Sequence, residues 1–310
     1  MKFAYVFPGQ GSQSVGMLAD LAQQHAIVGD VYGEASDVLG YDLWSVVQKG
    51  PESKLNQTDV TQPAMLAAGI AVYRALNEIK PGLVPHYMAG HSLGEYTALV
   101  AAGVMTLSQG IELVAERGRL MQAAVPAGEG AMAAVLGLED QQIIDLCAQA
   151  AEDQVVEAVN FNTPGQVVIA GQVAAVERAM KLAESLGAKK VVPLPVSVPS
   201  HCALMKPAAE QLSQKLAAMT FSAPQVKVLH NVSVSSFSDQ DEIKRALVEQ
   251  LYRPVQWVKT IETMKDQGVE KLFELGPGKV LAGLNRRIDR RMAVETIFDS
   301  ATLAQAVDGL

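Results

Sequence analysis

The sequence predicts an α/β protein in which a parallel sheet forms the main unit and a smaller unit is inserted into the chain. Three observations indicate this. Residues 2–7 (KFAYVF) form an apolar run, typical of a strand covered on both faces. Strand and helix patterns then alternate as far as residue 125, as they do in a parallel sheet. Residues 126–130 (PAGEG) mark a break, after which the order of elements changes.

Hydrophobic spacing and turn residues predict the elements of the main unit. In its first part they are the strand at 2–7, a glycine-rich loop at 8–16, a helical segment at 17–40 that its glycines break, an Ala-rich helix at 58–79, a short strand at 86–90 and an amphipathic helix at 106–125. In its second part they are a helix at 201–219, a strand at 225–234, a helix at 241–257 and a strand running into a turn at 271–278.

The inserted segment has a different order of elements. They are a strand at 131–138, a helix at 139–152, a hairpin at 155–171 that turns at Thr163-Pro164-Gly165, a helix at 174–187 and a strand at 188–197. This βαββαβ order is typical of a ferredoxin-like domain. We therefore expect a small ferredoxin-like domain at residues 126–197 and a large α/β domain formed by residues 1–125 and 198–310.

The composition and charge exclude several classes of protein. Of the 310 residues, 49% are hydrophobic and 19% charged, which suits a packed core and argues against disorder. The net charge of −8 gives no global support for a nucleic acid or an anionic membrane as partner. No segment reaches the about 18 apolar residues that a membrane span needs. The two cysteines have neither metal-site nor disulfide spacing, so a cytoplasmic setting is expected.

Residues 90–96 (GHSLGEY) contain Gly-x-Ser-x-Gly between a predicted strand and a predicted helix. This is the context of a nucleophile elbow, in which a sharp turn exposes the Ser hydroxyl at a helix N-terminus and glycines avoid a clash. The helix dipole favours negative charge there. Ser92 is therefore either a nucleophile or an ordinary residue of a turn that needs glycines. An elbow would make the large domain α/β-hydrolase-like.

A nucleophilic Ser92 needs a base, and the chain has five histidines. His91 adjoins Ser92, but neighbours across an elbow point in different directions. His201 lies at a predicted loop-to-helix junction with Pro199 just before it, where functional side chains often lie. His201 is therefore the candidate base. The histidines expected to be structural or exposed are His25, His86 and His230.

Two further features fit acyl chemistry. The N–H of Leu93, directly after Ser92, is the usual first donor to an oxyanion, and the glycines of residues 7–13 (FPGQGSQ) allow a second donor to approach, although a plain turn would also explain them. Arg117 lies in the middle of an apolar helical segment. It is either part of a solvated face or a buried cation, which would need an anionic partner such as a substrate carboxylate.

Together these residues resemble one family, the malonyl-CoA:acyl carrier protein transacylases of bacterial type II fatty acid synthesis. The matching stretches are FPGQGSQ, TQPA, AGHSLGEY, ERGRLMQ, NFNTPGQVVIAG, VSVPSHCALMKPA, LYRPVQW and ELGPGKVL. They run in family order from residue 7 to about residue 281, so the resemblance covers nearly the whole chain.

The resemblance implies a mechanism and the residues that carry it. Ser92 would be the acylated nucleophile of a ping-pong transfer and His201 its base. The main-chain carbonyl of Gln250 would orient the imidazole, so that no catalytic Asp is expected. Leu93 N–H and Gln10 would form the oxyanion hole. No metal, nicotinamide or flavin cofactor is implied.

The resemblance also implies the substrate contacts and the partners, malonyl-CoA and holo acyl carrier protein. Arg117 would hold the malonyl carboxylate, and residues 198–201 (VPSH) are similar to those of malonyl-selective enzymes. The further pocket positions are Gln62, His91 and Asn160. An acidic carrier would need a basic landing site on this acidic chain. The basic clusters available are Arg286, Arg287, Arg290 and Arg291, and separately Lys189 and Lys190.

Three alternatives stay open on the sequence alone. A serine hydrolase would share the elbow and the base, but it would have no use for an arginine that reads a carboxylate and would usually carry an acidic third residue. A discrete acyltransferase of a polyketide or malonate-decarboxylase system would share the chemistry and serve another carrier. A catalytically inactive scaffold would not require Ser92, His201, Gln10 and Arg117 together.

Overall fold

The computed structural model describes residues 1–196 and 198–309. The strands are β1 (Phe3–Phe7), β2 (Tyr87–Gly90), β3 (Gly130–Leu136), β4 (Val156–Thr163), β5 (Gln166–Gln172), β6 (Lys190–Pro193), β7 (Val228–Leu229), β8 (Lys271–Leu275) and β9 (Ala293–Ile297). The helices before residue 125 are α1 (Ala19–Gln24), α2 (Ala26–Leu39), α3 (Leu43–Lys49), α4 (Glu52–Leu55), α5 (Thr58–Ile79), α6 (Leu93–Ala101) and α7 (Leu107–Ala124). The later helices are α8 (Asp140–Ala151), α9 (Val173–Ser185), α10 (Lys206–Ala217), α11 (Gln240–Gln250), α12 (Trp257–Asp266), α13 (Val280–Ile288) and α14 (Ser300–Asp308), and a 3-10 turn covers Ala203–Met205.

The larger sheet is parallel and has the strand order β7-β2-β1-β8-β9. Its central strand β1 is buried on both faces, because Tyr5 and Phe7 pack into one apolar cluster while Ala4 and Val6 pack into another. This explains the unbroken apolar run that predicts it. Since the strands are parallel, the loops that follow β1, β2 and β7 leave the sheet at the same edge, where α/β proteins commonly bind ligands.

The smaller sheet is antiparallel and has the order β4-β5-β3-β6, with α8 between β3 and β4 and α9 between β5 and β6. One face packs against both helices. The other face carries Met132, Val159 and Val168, which pack against Cys202 of the larger unit. A bridge between Asn160 and Val255 also joins the two units. The smaller sheet therefore lies directly against the segment that contains His201.

The predicted α/β class with one parallel and one antiparallel sheet is confirmed, and several predicted elements need correction. The segment at 17–40 breaks at His25, between α1 and α2, and not at its glycines. Gly29 lies inside α2, where a Cβ would meet no atom within 4 Å, so nothing disrupts the helix there. The helix expected at 201–219 is regular only from Lys206, since His201 has a positive φ of 66°.

Two predicted elements of the second part are shorter than expected. Only Val228 and Leu229 pair with β2, because the chain then turns and the N–H of Val234 donates to the carbonyl of His230. The helix expected at 241–257 ends at Gln250, since Pro254 cannot donate a backbone hydrogen bond, and α12 begins at Trp257. The elements that the sequence patterns do not predict are α3, α4, α12, α13, β9 and α14.

The predicted boundary of the small unit at residue 197 lies outside the described residues, as does residue 310. In the part of the chain that the structure covers, no helix is both long and apolar enough to cross a bilayer.

Candidate active site

The loop between β2 and α6 holds Ser92 in a backbone conformation that few residues adopt. Its φ is 52° and its ψ is −109°. The flanking glycines are required by contact: a Cβ on Gly90 would overlap the carbonyl of Gly94, and a Cβ on Gly94 would overlap the carbonyl of Phe7 at the end of β1. The pattern Gly-x-Ser-x-Gly therefore allows α6 to pack directly onto β1 and leaves the hydroxyl of Ser92 at the edge of the sheet.

Ser92 and His201 come from distant parts of the chain and are hydrogen-bonded. Ser92 Oγ lies 2.8 Å from His201 Nε2, and His201 Nδ1 lies 2.6 Å from the main-chain oxygen of Gln250. Because a carbonyl oxygen can only accept, Nδ1 carries the proton and Nε2 accepts from the Ser92 hydroxyl. The imidazole is only 2% exposed. The arrangement is that of a nucleophile and a general base without a carboxylate partner.

Burial keeps the imidazole of His201 neutral. The loss of hydration lowers its pKa from 6.5 to about 3, and the nearby charge of Arg117 acts in the same direction. The hydrogen bond to the Gln250 carbonyl raises the pKa in part. A neutral imidazole can accept a proton at neutral pH, which a base in this position must do.

Arg117, on α7, is buried with its guanidinium next to Ser92. It donates to Gln62 Oε1 at 2.8 Å, to Gln250 Oε1 at 2.9 Å and to Ser92 Oγ at 3.2 Å. Its guanidinium also lies 5.2 Å from the centre of the Tyr96 ring. Burial lowers the pKa of Arg117, and its exposed fraction is 1%. Within residues 1–196 and 198–309 it has no carboxylate at salt-bridge distance, so an anionic ligand could supply the missing charge.

The remaining oxyanion-hole candidates lie at the same edge. Leu93 is the first residue of α6, where the N–H groups of a helix lack intrahelical partners. Gln10 is exposed in the turn after β1. The neighbouring Gly9 lies so close to the elbow that a Cβ would approach the carbonyl oxygen of His91 to 2.5 Å. The loop after β1 is thus brought against the residues that flank Ser92.

Of the further pocket positions in the described part of the chain, only Gln62 forms a side-chain hydrogen bond to the residues around Ser92 that are described above. Gln62 contacts Arg117 directly, as described above. His91 Nε2 lies 2.8 Å from Asn162 Oδ1, whereas the hydroxyl of Ser92 bonds to His201, so His91 is not the partner of Ser92. Burial lowers the pKa of His91. Asn160 pairs through its main chain with Val255, and its Oδ1 has no hydrogen-bond partner among the described residues. Asn162, not predicted from the sequence, is the asparagine that contacts His91.

A model of the acyl transferase domain matches residues 4–297. The chain belongs to the acyl transferase family. Curated relatives named malonyl CoA-acyl carrier protein transacylase include that of Escherichia coli, 55% identical over 99% of both chains, and that of Haemophilus influenzae, 57% identical over 97% of this chain and 96% of the relative.

Solved structures resemble this acyl transferase closely. One is an acyl carrier protein S-malonyltransferase from Vibrio cholerae, with a TM-score of 0.97 and 57% identity over 99% of this chain and 100% of that one. Another is a malonyl transacylase in complex with its holo type II polyketide acyl carrier protein, with a TM-score of 0.99 and 52% identity over 100% of both chains.

Three further residues of this acyl transferase support Ser92 from behind. Glu95 of α6 and Asn231, which follows β7, are both fully buried. Asn231 Oδ1 accepts from the N–H of Ser92 at 2.7 Å, and His230 Nδ1 lies 2.7 Å from Glu95 Oε1. The sequence patterns do not identify this group, although Glu95 belongs to the elbow motif. Asn231 lies inside the strand predicted at 225–234, whereas the observed β7 ends before it, at Leu229.

The basic residues considered for docking lie on the acyl transferase surface. Arg286 and Arg287 are exposed in the last turn of α13, and Lys189 and Lys190 are exposed at the start of β6. Arg287 reaches the smaller sheet, donating to Gln166 Oε1 at 3.0 Å. Arg287 and Lys189 line one cavity of about 570 Å³ between the two units. The two clusters are therefore neighbours in space.

Proposed function

We propose that this acyl transferase moves a malonyl group from malonyl-CoA to the phosphopantetheine thiol of an acyl carrier protein, which supplies malonyl carrier for fatty acid elongation. The observation that carries the proposal is the buried guanidinium of Arg117, 3.2 Å from Ser92 Oγ. A buried cation beside a nucleophile selects an acyl group that brings its own carboxylate. The names of the relatives and the carrier complex of one of them support the same substrates.

The first half-reaction forms an ester on Ser92. His201 Nε2 takes the hydroxyl proton as Ser92 Oγ attacks the thioester carbonyl of malonyl-CoA. The N–H of Leu93 and the loop at Gln10 stabilise the oxyanion of the tetrahedral intermediate. When the intermediate collapses, the C–S bond breaks and the coenzyme A thiolate receives the proton from His201. The products are malonyl-Ser92 and free coenzyme A.

The second half-reaction repeats these steps with another thiol. His201 takes the proton of the phosphopantetheine thiol, whose sulfur attacks the malonyl-Ser92 ester. Collapse breaks the C–O bond, and the proton returns from His201 to Ser92 Oγ. Because coenzyme A leaves before the carrier reacts, the kinetics are ping-pong. The Gln250 carbonyl, 2.6 Å from His201 Nδ1, keeps the reactive nitrogen directed at Ser92 throughout.

Arg117 acts on the other end of the acyl group. In the free enzyme its donors are directed at the amide oxygens of Gln62 and Gln250. A malonyl carboxylate offers charged acceptors, which form stronger hydrogen bonds than neutral amides, so it displaces part of this arrangement. The guanidinium then fixes the ester with its carbonyl towards the oxyanion hole.

The two sheets support a division of the chain into two domains, one for catalysis and one packed beside it. Residues 1–125 and 198–310 form an α/β-hydrolase-like catalytic domain, and residues 126–197 form a ferredoxin-like domain whose order β4-β5-β3-β6 supports that assignment. The carrier docks on the basic residues of α13 and β6 at the junction of the two, where Arg287 and Lys189 line one cavity. The free thiols Cys147 and Cys202 fit a cytoplasmic enzyme.

The mass of the intact protein tests this proposal. After brief exposure to malonyl-CoA the protein should gain one malonyl group, and it should gain much less acetyl from acetyl-CoA. Ser92→Ala should gain neither. Addition of holo acyl carrier protein should remove the adduct and yield malonyl carrier. Release of free malonate without malonyl carrier would instead identify a thioester hydrolase, and the absence of any adduct would refute a covalent transfer through Ser92.

A further inference from the structure

The carboxylate of Glu95 has no part in the chemistry above, yet it is fully buried behind the elbow. Its Oε1 lies 2.7 Å from His230 Nδ1. Its Oε2 accepts from the N–H of Asn231 at 3.0 Å and from Gln250 Nε2 at 2.9 Å. Burying a carboxylate at this depth costs free energy of desolvation unless hydrogen bonds to its oxygens compensate. The bonds of Glu95 therefore indicate what its burial achieves.

One of these bonds fixes the side-chain amide of Gln250. Its oxygen faces the cationic Arg117 at 2.9 Å, and its nitrogen donates to the anionic Glu95 at 2.9 Å and to the carbonyl of Ser92 at 2.9 Å. Flipping the amide would place like partial charges against both ionic groups. The amide therefore has one favoured orientation, and the main-chain carbonyl of the same residue orients His201.

A second bond fixes the backbone of Ser92. Asn231, which donates its N–H to Glu95, accepts from the N–H of Ser92 through Oδ1 and donates through Nδ2 to the carbonyl of Gly90 at 2.7 Å. The positive φ of Ser92 is unfavourable for a residue with a side chain, so it persists only where the surroundings hold it. Asn231 and Gln250 hold the N–H and the carbonyl of Ser92 respectively.

We propose that Glu95 is a positioning residue for the acyl transfer, which through Gln250 and Asn231 sets the geometry of Ser92 and His201 together. The inference rests on the proposed function, because it concerns the step that His201 and Ser92 perform. Glu95 itself touches no reacting atom. Its removal should therefore slow the chemical step and leave substrate binding intact.

Glu95→Gln tests the role of the charge at constant shape. We expect kcat for malonyl transfer to fall about 10- to 100-fold, as small misplacements of reacting groups do, while KM for malonyl-CoA stays within about threefold of its original value. A 15N NMR spectrum should show His201 protonated at Nδ1 in the original protein and as a mixture of tautomers in the variant. A residue that only stabilises the fold would change neither the tautomer nor kcat of the folded protein.

Glu274→Gln is the matched control. Glu274 is also fully buried and accepts two backbone N–H groups, but it lies in β8, bonds to the start of α13, and forms no hydrogen bond with Ser92, His201 or Gln250. It should keep kcat within about twofold, because the reacting groups keep their positions. If Glu95→Gln proves no slower than this control, the inference is wrong.

Three further outcomes are distinguished by these measurements. If Glu95→Gln does not fold, Asn231→Ser carries the same test, because it removes the acceptor of the Ser92 N–H; unchanged kcat and KM there would overturn the inference. If the original protein forms no malonyl adduct, the proposed function fails and the inference with it. If the adduct forms normally and Glu95→Gln is fully active, only the role of Glu95 is refuted.

Discussion

At the scale of single residues, we propose that the charge of Arg117 selects the acyl group that this enzyme carries. For Arg117→Ala we expect kcat/KM with malonyl-CoA to fall about 100- to 1,000-fold, since two charge-assisted hydrogen bonds to the carboxylate are lost. Acetyl-CoA carries no carboxylate, and transfer of its acyl group should be unchanged or faster. Steady-state rates with the two thioesters measure the ratio directly.

Arg119→Ala is the control for this substitution, since Arg119 lies two residues away on α7 and its guanidinium is exposed and paired with Glu116. It should alter neither rate, because exposed ion pairs contribute little. Equal losses of malonyl and acetyl transfer in Arg117→Ala would mean that the arginine supports the fold of the pocket and does not read the carboxylate.

Site residues can be predicted from the sequence where the residue type and the surrounding motif indicate the chemistry. Ser92 and His201 are expected from the elbow motif and from a loop-to-helix junction, and the structure places their side chains 2.8 Å apart. The role of Gln250 is predicted only through the resemblance to a family. Every residue has a main-chain carbonyl, so the residue type does not indicate which carbonyl orients the histidine. Glu95 is missed because a glutamate in the first turn of a helix normally faces solvent.

At the scale of elements, the contact between α6 and β1 determines whether the elbow forms. Gly94→Ala would place a methyl group on the carbonyl of Phe7 and should lower the free energy of unfolding by about 3 kcal/mol or more, because two backbones cannot separate without moving α6. Transfer activity should be lost at the same time. Urea unfolding and malonyl transfer at one temperature measure both effects.

Gly29→Ala makes the same chemical change in a helix without a close neighbour. Gly29 is exposed within α2, and a Cβ there meets nothing within 4 Å. It should raise the free energy of unfolding by roughly 0.5–1 kcal/mol, the helix propensity difference between Gly and Ala. A Gly94→Ala variant as stable as the original would show that the elbow tolerates a side chain and would contradict the steric account.

Elements with strong periodicity are predicted well, and short ones are not. The helix expected at 58–79 is α5 with the same bounds, since sixteen of its positions are buried and Ala is the most frequent residue among them. The strand expected at 225–234 shrinks to Val228–Leu229, because β7 lies at the edge of the sheet and its apolar residues continue into a turn. Hydrophobic periodicity in a sequence indicates which residues are buried, and it does not distinguish a strand from a buried loop.

At the scale of the whole molecule, the site exists only because the sheet brings distant segments to one edge. Ser92 follows β2, Asn231 follows β7, and Gln250 ends α11, while His201 lies on the segment that the smaller sheet covers. The α/β class follows from local patterns. The strand order β7-β2-β1-β8-β9 does not, because it depends on pairings between residues far apart in the chain.

The stability of the whole fold should depend on pH through Glu274. This buried residue of β8 accepts from the N–H groups of Leu281 and Ala282 and so anchors α13 to the sheet. Burial raises its pKa from 4.5 to about 7, against the opposing effect of these hydrogen bonds. Since the folded protein binds this proton more tightly than the unfolded chain, its contribution to stability is present below pH 4.5 and is lost as pH rises through 7.

Glu274→Gln removes this titration, because an amide stays neutral at every pH. Between pH 4.5 and pH 8 the original protein should lose about 3 kcal/mol of unfolding free energy relative to the variant, from the pKa shift at 1.36 kcal/mol per pH unit. Any poorer bonding of the amide to α13 is the same at both pH values and cancels from the comparison. Urea unfolding of both proteins at the two pH values gives the difference, and parallel pH profiles would show that the carboxylate of Glu274 titrates normally despite its burial.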